Sequence, residues 1–66
     1  MDITLNGEPR TFPTPLTVTA LLVAEHLAER RVAVEVNGEI VPRSRHDARL
    51  FADGDRVEIV HALGGG

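Results

Sequence analysis

The chain has 66 residues, seven basic and ten acidic side chains and a formal net charge of -3. That length allows one domain with a small core and leaves no room for a deep catalytic cleft beside a nucleotide-binding fold. The mildly acidic balance argues against nucleic-acid binding, and two Phe with no Trp or Tyr give an aliphatic core and no platform for stacking bases.

Residues 2–5 alternate polar and apolar at period two, as a half-buried strand does. Asn6-Gly7 follows, a pair that tolerates the positive φ of a tight hairpin turn. Residues 10–12 read as a short return strand, and Pro9 and Pro13 beside it suit a sheet edge. Thr17 is placed to N-cap a helix, and the Ala-, Leu- and Glu-rich run from 18 to about 29 contains no Gly or Pro. Leu21, Ala24 and Ala28 fall on one face, with Val18 and Leu22 beside it. Glu25 intrudes near that arc and points to an early end around His26, with Leu27 packing as an irregular residue.

Residues 32–36 are β-branched at 32, 34 and 36, the clearest strand signal in the chain. Asn37-Gly38 supplies a second tight turn, and residues 39–41 a short strand closed by Pro42. Residues 43–52 have no period and read as a loop with a helical turn. Asp53-Gly54-Asp55 is a further turn before the last strand, 56–60, with Val57 and Ile59 toward the core. The expected fold class is α+β: a small mixed sheet with one helix across one face. Residues 1–61 would form the domain, and residues 62–66 a flexible Gly-rich tail.

No Cys is present, which excludes disulfides, thiolate metal sites and thiol nucleophiles within the chain. His26, His46 and His61 fall on three predicted elements without an i,i+4 pair, and read as solvent-facing or partly packed imidazoles rather than ligands. His61 continues the Val57/Ile59 face just ahead of the tail, at the rim. Ser44, His46 and Asp47 carry the letters of a triad but stand too close together to converge as nucleophile, base and orienter. They read as loop chemistry, with Ser44 capping a turn and Asp47 at a helical start. Arg43, Arg45 and Arg49 make that loop locally basic, a solvated face or a place for a phosphate or an acidic partner. No apolar run approaches the length of a membrane span, and the start lacks a signal-peptide pattern, so a cytoplasmic protein is expected.

The most informative feature is Gly64-Gly65-Gly66. Without Cβ atoms, three glycines can extend through a channel too narrow for side chains. Residues 62–66 reach at most about 17 Å, enough to carry a carboxylate into another protein's active site. The Gly66 α-carboxyl, with a reference pKa near 3.5, is ionised at neutral pH and is a poor electrophile until activated, for instance as an acyl-adenylate.

Taken together, these residues resemble the ThiS family of sulfur carriers, members of the ubiquitin-like β-grasp group. The resemblance spans essentially the whole chain. It rests on Thr17-Val18 with Leu21-Leu22, on residues 34–38, on Ile40-Val41-Pro42-Arg43, on residues 53–60 and on the glycine ending. The diglycine end is common to ubiquitin-like carriers, whereas Val41-Pro42-Arg43 with the short length is what resembles this family in particular. Departures are Glu25, where relatives tend to be apolar, and the lack of Lys. The resemblance implies a β-grasp fold and a carrier that is a co-substrate rather than an enzyme. A ThiF-like enzyme would use ATP and Mg²⁺ to adenylate Gly66, and a protein persulfide would supply sulfur to leave a thiocarboxylate. A ThiG-like thiazole synthase would accept that sulfur in thiamin biosynthesis, while Gly64 and Gly65 would thread with Gly66 into partner sites. The alternatives are a sulfur carrier for molybdopterin or another pathway, a ubiquitin-like protein modifier, or a plain binding module.

Overall fold

The structure is a computed structural model, and it describes residues 1–61. Its elements are β1 (Asp2–Leu5), β2 (Glu8–Thr11), α1 (Val18–Ala24), β3 (Val32–Val36), β4 (Glu39–Ile40), a 3₁₀ turn (Arg43–Arg45) and β5 (Arg56–His61). The five strands form one mixed sheet in the order β2-β1-β5-β3-β4. β1 runs parallel to β5, and every other neighbouring pair is antiparallel. This is the helix-on-sheet arrangement expected from the sequence, and the last strand in the chain lies at its centre.

Both Asn-Gly pairs make the predicted two-residue hairpins. Asn6 and Gly7 have φ of 50° and 85°, Asn37 and Gly38 of 53° and 87°, the doubly positive geometry of a type I′ turn. The turns set the registers Leu5↔Glu8 and Val36↔Glu39. The return strand starts two residues earlier than the sequence suggests and includes Pro9. The Met1 amine and the Phe12 amide donate to each other's carbonyls, so the Thr4↔Pro9 pair, three steps along the alternating register, is not hydrogen-bonded. The N–H that proline lacks faces outward from an edge strand.

Helix α1 begins as expected, with the Thr17 hydroxyl accepting from the Ala20 amide at 3.1 Å. It ends at Ala24, five residues short of the full apolar run. The cause is a Schellman-type C-terminus: His26 takes φ of 62°, its N–H donates to Val23 O and the Leu27 N–H to Leu22 O. The early end that Glu25 signals is therefore real, and Leu27 packs as an irregular residue against the core. Ala24 and Ala28 are exposed, so the buried face is Val18, Leu21 and Leu22 alone. Glu25 does not intrude on the core. Its carboxylate takes a two-pronged ion pair from the Arg10 guanidinium, at 3.0 and 2.6 Å, and Arg10 also lies over the Phe12 ring. The Arg10 hydrogen bond holds the Glu25 carboxyl below its ordinary value against the opposing effect of burial.

Ile3, Leu5, Val34, Val36, Val57 and Ile59 line the inner face of the sheet and meet the helix. Two core residues lie outside the strands and helix. Val41, expected to end the 39–41 strand, falls just past β4, which stops at Ile40, and its N–H donates to Val34 O. Phe51 comes from the aperiodic loop, and its N–H donates to Leu16 O. The 43–52 loop is thereby bound to the start of α1, where Val18 and Thr19 amides donate to Arg49 and His46 carbonyls. His46 is buried, not solvent-facing, with its Nε2 3.0 Å from Val41 O; a carbonyl only accepts, so that nitrogen carries the proton. Ser44 does not cap the turn, because it sits inside the 3₁₀ segment, which has no side-chain cap. Asp47 follows that turn and accepts from the Thr19 hydroxyl at 2.6 Å.

Candidate functional site: the root of the C-terminal segment

The predicted functional residues Gly64, Gly65 and Gly66, and the tail at 62–66, lie outside the described residues. What the structure positions is their root, the end of β5. That strand pairs with β3 from Val36↔Val57 to Val32↔His61, all of its described length but Arg56. Its other side pairs with β1 only at Thr4↔Arg56 and Leu5↔Val57.

Beyond Leu5 the pairing is continued by a side chain. The Asn6 amide donates through Nδ2 to Ile59 O (3.2 Å) and accepts through Oδ1 from the Ile59 N–H (2.8 Å). The Asn6 backbone N–H adds a bond to Val57 O at 2.9 Å. One asparagine thus replaces two residues of strand and holds β5 up to two positions before it ends. Asn37 does the equivalent work at the other end of β5. Its Oδ1 accepts from the Arg56 N–H, and its Nδ2 donates to the buried carboxylate of Asp55, both at 2.9 Å. The other oxygen of that carboxylate accepts from the Ala52 amide at 2.8 Å. Asp53 accepts from the Asp2 amide, which stitches the turn before β5 to β1. The sequence marks 6, 37, 53 and 55 as turn residues. Their grip on β5 is absent from that reading, because Asn6 and Ile59 stand 53 positions apart. An Asn rather than Asp or Gly at the first turn position is the only trace of it.

The remaining candidates separate. His26, His46 and His61 sit after the helix, after the 3₁₀ turn and at the end of β5. Among the described residues, no three His, Cys, Asp or Glu side chains gather as a metal would need. His61 is exposed at the strand end, opposite Val32. Ser44 and Asp47 make no hydrogen bond with His46, whose ring faces Val41 O. The basic loop is split: Arg43 lines a cleft of about 500 Å³ with Arg30 and Arg31. Arg45 and Arg49 line another of about 370 Å³ beside Ile40 and Pro42. No helix among the described residues is long and apolar enough to cross a membrane.

A mixed five-stranded sheet clasping one helix, with its final strand at the centre, defines a β-grasp protein of the ubiquitin-like kind. The ThiS family model matches residues 3–66, and this chain belongs to that family. The crystal structure of the thiamine biosynthesis protein ThiS from Geobacter metallireducens superposes with a TM-score of 0.86 at 43% identity, covering 100% of both chains. The sulfur carrier protein ThiS of Bacillus subtilis is 40% identical over 50 residues, 76% of each chain. A thiazole synthase from Paramagnetospirillum magneticum is 47% identical over all 66 residues, and the chain spans only 20% of that protein's length.

Proposed function

We propose that this protein is a sulfur carrier for thiazole assembly in thiamin biosynthesis, with the Gly66 carboxylate as the reacting group. The observation that carries this reading is the union of a family match running through residue 66 with a strand, β5, held on both sides almost to the point where the last five residues begin. A rigid body of this kind presents a narrow glycine segment to another protein's active site without itself entering it.

The chemistry follows from the carboxylate. A ThiF-like enzyme, supplying ATP and Mg²⁺, would let the Gly66 carboxylate attack the α-phosphorus, releasing pyrophosphate and leaving an acyl-adenylate. A persulfide on a donor protein would then attack the acyl carbon and expel AMP. A thiol would cleave the resulting S–S bond, leaving a terminal thiocarboxylate on Gly66 and a disulfide on the donor side. The thiocarboxylate is a softer nucleophile than the carboxylate and would pass its sulfur to a ThiG-like thiazole synthase. The similarity to a segment of a thiazole synthase supports that partner. The chain would hold no cofactor and act as co-substrate, not catalyst.

Intact-mass analysis tests this. After incubation with the activating enzyme, ATP, Mg²⁺ and a persulfide source, a fraction of the protein should carry sulfur in place of one oxygen, localised to Gly66. A product that stays entirely carboxylate, with no trapped adenylate, overturns the reading. Reductant-resistant conjugates to other proteins in a lysate would favour a modifier instead.

A further inference from the structure

Five of the seven cations lie between residues 30 and 49, in a chain whose net charge is -3. Three of them, Arg30, Arg31 and Arg43, come from two separated segments to line one cleft of about 500 Å³. Among the described residues the only ion pair is Arg10–Glu25, so none of the three has a carboxylate of the described fold within salt-bridge distance. Two acids also line the cleft, Glu29 and Asp47, and Asp47 is engaged by the Thr19 hydroxyl. His46 reaches the cleft wall with its Nε2 turned to Val41 O. Val32 lines it too, and Val32 is the register partner of His61, the last described residue before the glycine segment. The cleft and the root of that segment therefore share one end of the molecule.

We infer that this cleft is a docking site for an acidic segment of the ATP-dependent activating enzyme that receives the glycine tail, and the inference rests on the carrier reading above. The guanidinium fork matches a carboxylate in two-pronged geometry. The cleft is larger than one phosphate needs, and Glu29 and Asp47 on its walls disfavour a compact multiply charged anion. An extended acidic segment avoids both acids by placing its carboxylates at the arginines and its side-chain stems on Leu22 and Val32. Arg45 and Arg49 line a separate cleft, so a control variant there distinguishes this site from general basicity, while the chain's net charge of -3 disfavours an acidic partner over the acidic parts of the surface.

The test uses the full-length ¹⁵N-labelled chain and a hexaglutamate peptide. At about 20 mM salt, the Nε–H signals of Arg30, Arg31 and Arg43 should shift and saturate, and the apparent affinity should fall about tenfold on raising salt to about 200 mM. R31E/R43E should abolish the shifts, R30Q/R31Q/R43Q should weaken them strongly, and R45E/R49E at the other cleft should leave them intact. Equal loss in R45E/R49E overturns the site, as does inorganic phosphate competing as well as the peptide. Nuclear Overhauser contacts from Gly64–Gly66 to the three arginines in the free chain would give the cleft to the chain's own tail and also overturn it. In the adenylation assay, R31E/R43E should raise KM about tenfold or more with kcat unchanged. Unaltered KM with normal adenylation sinks the docking site and spares the carrier reading. A Gly66 that is never adenylated, with peptide binding intact, does the reverse.

Discussion

Asn6 acts at the scale of a single side chain. It occupies a left-handed backbone position, φ 50°, and also supplies both hydrogen bonds that Ile59 lacks after β1 ends. Asn6→Gly separates these roles, because glycine accepts the positive φ but removes the clamp. The variant should lose about 1–3 kcal/mol in a denaturant titration, the expected effect of stranding part-buried backbone groups. Exchange of the Ile59 amide should accelerate more than that of Val34 in the core. Asn6→Asp keeps the acceptor and loses the donor, so it should fall between. A neutral Asn6→Gly would mean that β3 alone holds the end of β5. The sequence discloses the turn at Asn6, because Asn-Gly is local. It cannot disclose the clamp, because the partner is at the far end of the chain.

The elements were readable to different degrees for the same reason. The Thr17 cap and the two hairpins depend on neighbours in sequence, and each forms where the pattern places it. The end of α1 is set by a left-handed residue that is His26 rather than the usual Gly, so Glu25 was its main signal. Phe51 and His46 entered the core from a segment without a period, where burial comes wholly from tertiary contacts. Glu25 shows what such contacts do, since its pairing with Arg10 ties edge strand β2 to the helix end. Its folded-state value lies below the ordinary 4.5. The pair therefore stabilises the fold above that pH and loses its effect as pH falls through the lower, folded value. Glu25→Gln should melt slightly lower than the parent at pH 7, with the two melting temperatures converging as the buffer is taken below pH 4.5. A constant gap across that range would show that the carboxylate's charge is irrelevant. The sheet carries the opposite case: Glu35 and Glu58 stand directly opposite on β3 and β5. Glu58→Lys should stabilise the protein by roughly 0.2–1 kcal/mol, and high salt should reduce the gain.

In the whole molecule, the last strand of the chain is the middle strand of the sheet, with β1 on one side and β3 on the other. Force or crowding applied beyond His61 acts on the best-anchored element, which suits a body used as a handle for its final residues. The opposite end of the chain behaves differently. The Met1 amine donates to Phe12 O at the sheet's edge, and an amide N–H in its place can make the same bond. An N-terminal extension should therefore leave both stability and sulfur acceptance intact. Deleting Gly66 removes no side chain and no residue of β5, so stability should change by less than about 0.5 kcal/mol. The same deletion should abolish sulfur uptake in the intact-mass assay, and one residue appended after Gly66 should abolish it as completely by replacing the carboxylate with an amide. Uptake that survives the appended residue would place the reacting group somewhere other than Gly66. Loss of folding in either variant would mean that the end of the chain supports the sheet instead of being presented by it.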